Sequence, residues 1–203
     1  MQMHEMIEVR FHGRGGQGAK VASRILGHSA ILAGLYAQDF ALFGAERRGA
    51  PVVSFTRLSS EPIHQRGEIA QPDLVVVLDD SLLRDAPGQI YRGVDKTTPL
   101  LVNADPMRFI TAGLPVADYR AFDMQRIAQE HIGRNFVSAI AAAIAAKQIA
   151  AISIEQFAVA LRHELGDFGL VPELIEKKLA AARIAYDMTS KHSCSMKPTM
   201  YSS

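Results

Sequence analysis

The sequence predicts an α/β protein with a mostly parallel sheet flanked by helices, ending in a helical extension and a tail. Three observations carry that expectation. A β-prone segment, a glycine loop and a helical segment follow one another near the start, which is the opening of a βαβ unit. Leu74–Leu78 and Leu100–Val102 are short, continuous apolar runs, the style of strands buried on both faces of a parallel sheet. From Gln125 onward, helical patterns broken by glycines take over. Together these describe a Rossmann-like sheet domain.

Met6–Phe11 alternates loosely and reads as the first strand. His12–Gly18 reads as a turn, with glycines at 13, 15, 16 and 18. Val21, Ala22, Ile25, Leu26, Ile31 and Leu32 recur at helical spacing, so Ala19–Gly34 is a helix with Gly34 as its stop. Leu35–Asp39 is a short second strand, Phe40–Ala50 a long loop without period, and Pro51–Leu58 a strand by its β-branched content. Ser59–Pro72 is polar and irregular. Asp79-Asp80 closes the Leu74 run and supplies an N-cap for a helix from Ser81. Gln125–Ile132, Asn135–Ile149, Ile154–Leu165 and Pro172–Tyr186 read as helices, the third capped by Ser153. One domain is expected over residues 1–187, with a sheet core about 6–120 and a helical extension about 123–187. Residues 188–203, rich in Ser and Lys, are expected to be a mobile tail or partner-binding arm.

Composition weighs against several function classes without excluding them. Lys+Arg number 22 against 21 Asp+Glu, a net charge of +1, where a general nucleic-acid or membrane-surface binder carries a larger positive excess. Trp is absent and aromatics are 7%, so base-stacking platforms are scarce. The apolar stretch Ala139–Ala146 is too short to span a bilayer. The single cysteine, Cys194, makes no internal disulfide and cannot hold an iron–sulfur cluster alone. A soluble, cytoplasmic protein is expected, with no nucleic acid and no membrane among its partners.

Gly13-Arg14-Gly15-Gly16-Gln17-Gly18 fits G-x-G-x-x-G, with a strand before and a helix after. Glycines permit a tight turn, and a helix N-terminus offers free N–H groups to an anion. Asp39, 21 residues past Gly18, is the acid a dinucleotide fingerprint asks for. An NAD(P)- or flavin-binding oxidoreductase is therefore one reading. The other is that the loop only lets a helix or a neighbouring subunit pack closely. Arg14 and Gln17 favour the second, because their long side chains compete with a pyrophosphate for space. A Walker A loop is excluded, since Ala19-Lys20 stands where Lys and Ser or Thr are needed. Lys20 reads as a solvated helix residue. The second unusual stretch is Phe43-Gly44-Ala45-Glu46-Arg47-Arg48-Gly49-Ala50-Pro51. Its guanidinium forks suit carboxylate or phosphate recognition, or a local ion pair with Glu46. His12 reads as a strand-end residue satisfied by backbone. His163-Glu164 lacks a second histidine four residues on and is set aside as a metal site.

HGRGGQGAKVAS, then FGAERRGAPVVSFTRL, then QPDLVVVLDDSLL, in this order and spacing, resemble the gamma subunit of the 2-oxoacid:acceptor oxidoreductases. That family includes pyruvate:ferredoxin oxidoreductase and its 2-oxoglutarate, branched-chain, indolepyruvate and phenylglyoxylate relatives. The resemblance covers about residues 6–190, and the second segment is more like the pyruvate-type form. Asn135 matches a later family Asn before an apolar helix. Ala45 departs from a position often held by Pro, and Lys178 from one often held by Asn.

The resemblance implies a complex that oxidatively decarboxylates a 2-oxoacid, usually to an acyl-CoA, with thiamine diphosphate and Mg. Electrons then leave through [4Fe-4S] clusters on other chains to ferredoxin or another acceptor. It implies alpha, beta and delta-type partner subunits, with the 2-oxoacid and CoA in a shared cleft. It implies no catalytic residue, no metal and no cofactor held by this chain alone. The residues expected at the subunit junction or facing the cleft are Gly13, Arg14, Gly15, Gly16, Gln17, Gly18, Glu46, Arg47, Arg48, Gly49 and Asn135, with Arg47 ahead of Arg48 for an inward role. A third reading, an anion-binding or regulatory module without a redox role, stays beside these two.

Overall fold

The computed structural model describes residues 4–42, 49–111, 113–115, 118–189 and 197–199. β1 (His4–Arg14) lies between β3 (Pro51–Ser59) and β4 (Leu74–Val77). β2 (Tyr36–Leu42) edges β3, while β5 (Pro99–Asn103) and β6 (Asp118–Phe122) continue beyond β4. The order is β2-β3-β1-β4-β5-β6. β1, β4, β5 and β6 are parallel, and β3 is antiparallel to both β1 and β2. Among these strands only β3 runs backwards, so the sheet is mostly parallel in direction, as expected. β7 (Lys197–Thr199) brings part of the tail back to pair with His4–Met6.

Two strands outrun their sequence signals. β1 continues through His12, Gly13 and Arg14, which the glycine count reads as turn, because Val53, Val52 and Pro51 offer them an antiparallel ladder. β2 reaches Leu42, inside the stretch read as a loop, by pairing with Val53. β6 (DYRAF) and the short helix over Pro87–Ile90 have no clear signal in the sequence and owe their form to neighbouring chain.

Alternation on β1 sends Ile7, Val9 and Phe11 to one face and Glu8, Arg10, His12 and Arg14 to the other. On the first face lie α1 (Ala19–Leu32) and α5 (Ser138–Gln148), backed by α6 (Ile154–Asp167) and α7 (Pro172–Met188). α4 (Met124–Ile132) packs against α7. α5 is apolar all round because it is covered all round, by β4, α1 and α7. Ile140 and Ile144 are wholly buried there, each worth about 2 kcal/mol of burial. The helices after residue 123 therefore form the wall of the core rather than an appendage to it. α6 starts on a reciprocal cap: Gln156 N–H donates to Ser153 Oγ (3.2 Å) and Ser153 N–H to Gln156 Oε1 (2.8 Å).

On the second face, α2 (Leu82–Asp85) and α3 (Pro87–Ile90) cover Val75, Val77, Leu100 and Val102. Their cover ends at β1. No helix among the described residues is long and apolar enough to cross a membrane.

Candidate functional site at the glycine-loop junction

The glycine loop stands at the carboxyl end of β1, beside the end of β4, where α/β sheets place their sites. Gly18 holds the left-handed conformation (φ +84°) that starts α1. A Cβ there would lie 2.9 Å from that of Ser138 at the head of α5. Glycine is needed at this position both for its backbone angle and for the close approach of the two helices.

The loop is closed on itself by side chains. Gln17 Oε1 accepts the Arg14 N–H (2.7 Å), and Gln17 Nε2 donates to Asp79 Oδ2 (2.8 Å). Arg14 Nε donates to the same carboxylate oxygen (3.2 Å). Arg14 Nη2 donates to Ser81 Oγ and to Asp85 Oδ2, each at 2.5 Å. Burial pushes the Asp79 carboxyl up, but hydrogen bonds from Ser81 and Gln17 and the charge of Arg14 outweigh it and leave it below the usual range. Asp79 is thus less the helix cap expected of it than the anion that organises the loop.

The two sequence motifs meet here. Gly15 N–H donates to the Ala50 carbonyl (2.9 Å), Gly49 N–H to the Gly15 carbonyl (3.4 Å), and Arg14 Nη1 to the Gly49 carbonyl (3.3 Å). Gly16 is exposed at the tip of the loop. Asn135 is exposed in the α4–α5 turn, three residues before Ser138, so it shares this edge of the molecule. It lies before α5, not in the helix expected to start with it. Next to it, the Phe136 ring carries the Lys178 ammonium at 3.9 Å, and burial lowers Lys178 to about 8. Glu46, Arg47 and Arg48 lie outside the described residues.

This geometry argues against a dinucleotide. The N–H groups of Arg14, Gly15 and Gln17 are already bonded within the chain. Asp39 does not reach the loop, because β3 intervenes between β2 and β1. It packs instead beside Gly27, nine residues along α1 from Gly18, or about 13 Å of helix.

The spacing argument missed three groups. Asn103 ties the end of β5 to its surroundings, donating to the Leu78 carbonyl (2.9 Å) and accepting the Met124 N–H (3.0 Å). His163 and Glu164 gain their second histidine from α1, since His28 Nδ1 is 3.1 Å from Glu164 Oε1. The donor atoms of His28, His163 and Glu164 lie within 4.8 Å of one another, but Arg24 Nη2 already stands 2.8 Å from Glu164 Oε2. The third group is Arg10 with His12. His12 leaves one ring nitrogen unanswered: its buried Nε2 has no hydrogen-bond partner among the described residues. Burial, and then the charge of Arg10, hold its imidazole neutral down to about pH 3. The signal was legible in principle, as ionisable side chains at 8, 10, 12 and 14, every second position of a strand.

Residues 8–188 match the family model described as pyruvate ferredoxin/flavodoxin oxidoreductase. The chain is 38% identical over 192 residues to the pyruvate synthase subunit PorC of Methanothermobacter marburgensis, covering 93% of this chain and 99% of that one. It is 40% identical over 187 residues to the pyruvate/ketoisovalerate oxidoreductases common subunit gamma of Pyrococcus furiosus, covering 91% and 97%. The crystal structure of the pyruvate oxidoreductase subunit PORC of Thermotoga maritima superposes with a TM-score of 0.74 at 29% identity, covering 90% of this chain and 96% of that one. Matched by the family model over residues 8–188 and by these relatives over nine-tenths of its length, the chain belongs to the pyruvate ferredoxin/flavodoxin oxidoreductase family, as a chain of the gamma-subunit type.

Proposed function

We propose that this chain is the noncatalytic gamma subunit of a cytoplasmic, multisubunit 2-oxoacid:acceptor oxidoreductase, assembled with alpha, beta and delta-type subunits. The names of its relatives support pyruvate or a branched-chain 2-oxoacid as the substrate class. Within the complex, thiamine diphosphate with Mg supplies the decarboxylation chemistry, CoA takes the acyl group, and [4Fe-4S] clusters pass electrons to ferredoxin or another acceptor. Those clusters belong to other chains, because Cys194 supplies one thiolate where a cluster takes four.

The observation that carries the reading is the closed glycine loop. Its donors answer Arg14, Gln17, Asp79 and Gly49–Ala50 rather than aiming outward at a pyrophosphate. Its work is to hold one rigid edge of the subunit, with Asn135 on the same edge. Arg47 and Arg48, which precede Gly49 in the sequence, supply cationic groups for the anions of a shared cleft, Arg47 foremost.

Affinity purification of the tagged chain from its host, with an absorption spectrum and mass spectrometry of the co-purifying chains, tests this. A brown complex with stoichiometric partners is expected. A colourless single chain carrying NAD or flavin overturns it and returns the loop to a nucleotide role.

A further inference from the structure

The uncovered part of the second sheet face holds a pocket of about 500 Å³. Its apolar side is Leu42, Pro51, Val53 and Phe55, brought into line by the β2-β3-β1 register. Its floor is Arg10 and His12, both about 2% exposed. Across the pocket stand Ile69 and the rim pair Glu68–Arg92 (2.8 Å). Gly93 fixes that rim, because its backbone meets the Ala70 carbonyl too closely for any Cβ.

Among the described residues Arg10 is a buried cation with no carboxylate hydrogen-bonded to it, and the attraction of Glu68 on the rim is outweighed by the like charge of Arg92. Its Nη2 donates to the Ile90 carbonyl (2.8 Å) and its Nη1 to the Ile69 carbonyl (3.4 Å), which orient the guanidinium without neutralising it. Its Nε has no hydrogen-bond partner among the described residues, and neither has His12 Nε2. Arg57, on the next strand and the same face, shows what a completed site looks like. It donates to Glu8 Oε1 (2.8 Å), Gln38 Oε1 (3.1 Å) and the Gly67 carbonyl (3.0 Å). Glu68, the acid on the pocket's rim, is engaged by Arg92. Burying a charge is costly unless it is paired. The missing group is therefore an anion that reaches Arg10 past apolar walls.

We infer that this pocket seats a carboxylate on an apolar stem, namely an acidic side chain flanked by apolar residues on a neighbouring subunit of the complex. The inference rests on the subunit reading above. It adds a contact surface away from the glycine loop, on the face that the helices leave open. Three features argue for this occupant: the unanswered charge, the apolar approach to it, and a face that a subunit of a larger assembly has reason to cover.

The test introduces the carboxylate from within. Val53 neighbours His12 across the ladder and Arg10 diagonally, within reach of a longer side chain. Val53→Glu and Val53→Gln are compared in the full chain, by titration against the remaining subunits and by thermal unfolding. Val53→Glu is expected to raise the melting temperature of the free chain above that of Val53→Gln, and to weaken assembly about tenfold more than Val53→Gln does. Equal assembly by both variants overturns the inference while leaving the subunit reading intact; a wild-type chain that assembles with nothing overturns the subunit reading itself. Arg10→Met is the second variant. It is expected to weaken assembly about tenfold and to flatten its salt dependence, with cooperative unfolding retained. A lower melting temperature with unchanged assembly makes Arg10 a tie for Ile69 and Ile90 only and overturns the inference. So does saturable binding of hexanoate to the assembled complex at the Arg10 pocket, which assigns the carboxylate to a free acid.

Discussion

Arg14 and Arg10 stand on the same strand and the same face, four residues and about 13 Å apart. Arg14 closes the glycine loop with two carboxylates, a hydroxyl and a carbonyl around it. Arg10, deeper in the sheet, has two carbonyls and, among the described residues, no carboxylate. The more exposed arginine is the better answered one, the reverse of what burial alone would demand. The loop is finished within the chain, whereas the pocket is finished only when something else arrives. A glycine motif that draws attention in a sequence can be structurally self-sufficient, and a plain strand residue can be the incomplete one.

The sharpest way to break the loop is at Gly18. Gly18→Ala imposes a left-handed backbone on a residue with a Cβ and drives that Cβ into Ser138, and should cost about 3 kcal/mol. Adding Ser138→Gly should recover the part due to the clash but not the part due to the backbone angle. Urea unfolding at constant slope measures both, and a loss under about 1 kcal/mol for the single variant removes the close-approach argument.

Asp79→Ala comes next. It strands Arg14 and Gln17 together and should cost about 2 kcal/mol near neutral pH. The folded carboxyl titrates below its unfolded value of 3.8, so this contribution is present above that pH and fades as the pH falls beneath it. Wild type and variant should accordingly converge in strong acid, and a gap that persists there would mean that the carboxylate charge is not what matters.

His12 sharpens the other side of the comparison. The unfolded imidazole titrates near 6.5 and the folded one near about 3. Between those values the unfolded chain binds a proton that the folded chain refuses, so stability falls as the pH falls. The slope should approach about 1.4 kcal/mol per pH unit for this one group. His12→Gln should lack that share of the slope. An unchanged profile between pH 4 and 6 would show that the imidazole is hydrated in the folded chain.

The smallest effect belongs to a site outside both regions. Ser153→Ala removes half of the reciprocal cap on α6 and should cost about 1 kcal/mol, with no change in assembly. A change in assembly would extend the subunit contact to that helix.

Much of the fold was legible in the residues. The continuous apolar run at Leu74–Leu78 read as a strand covered on both faces, and Val75, Val76 and Val77 are fully buried. Ser153 with Gln156 announced a helix start from local chemistry alone. Less was legible where pairing overrides propensity. Gly13 and Arg14 read as turn until β3 is laid beside them. Asp39 fitted a nucleotide fingerprint by count, but one antiparallel strand inserted between β1 and β2 carries it away from the loop.

By itself the sequence determined the fold class, the principal helices, the buried strands β4 and β5, and the family, because periodicity, caps and motif spacing are local properties of the chain. Tertiary structure alone decided which polar groups answer one another. Asp79 reached Arg14 across 65 residues, Gly49 met Gly15 across 34, and Arg10 was left with no carboxylate among the described residues. Whether a buried charge is neutralised depends on distances of a few ångströms between strands, and linear spacing does not encode them.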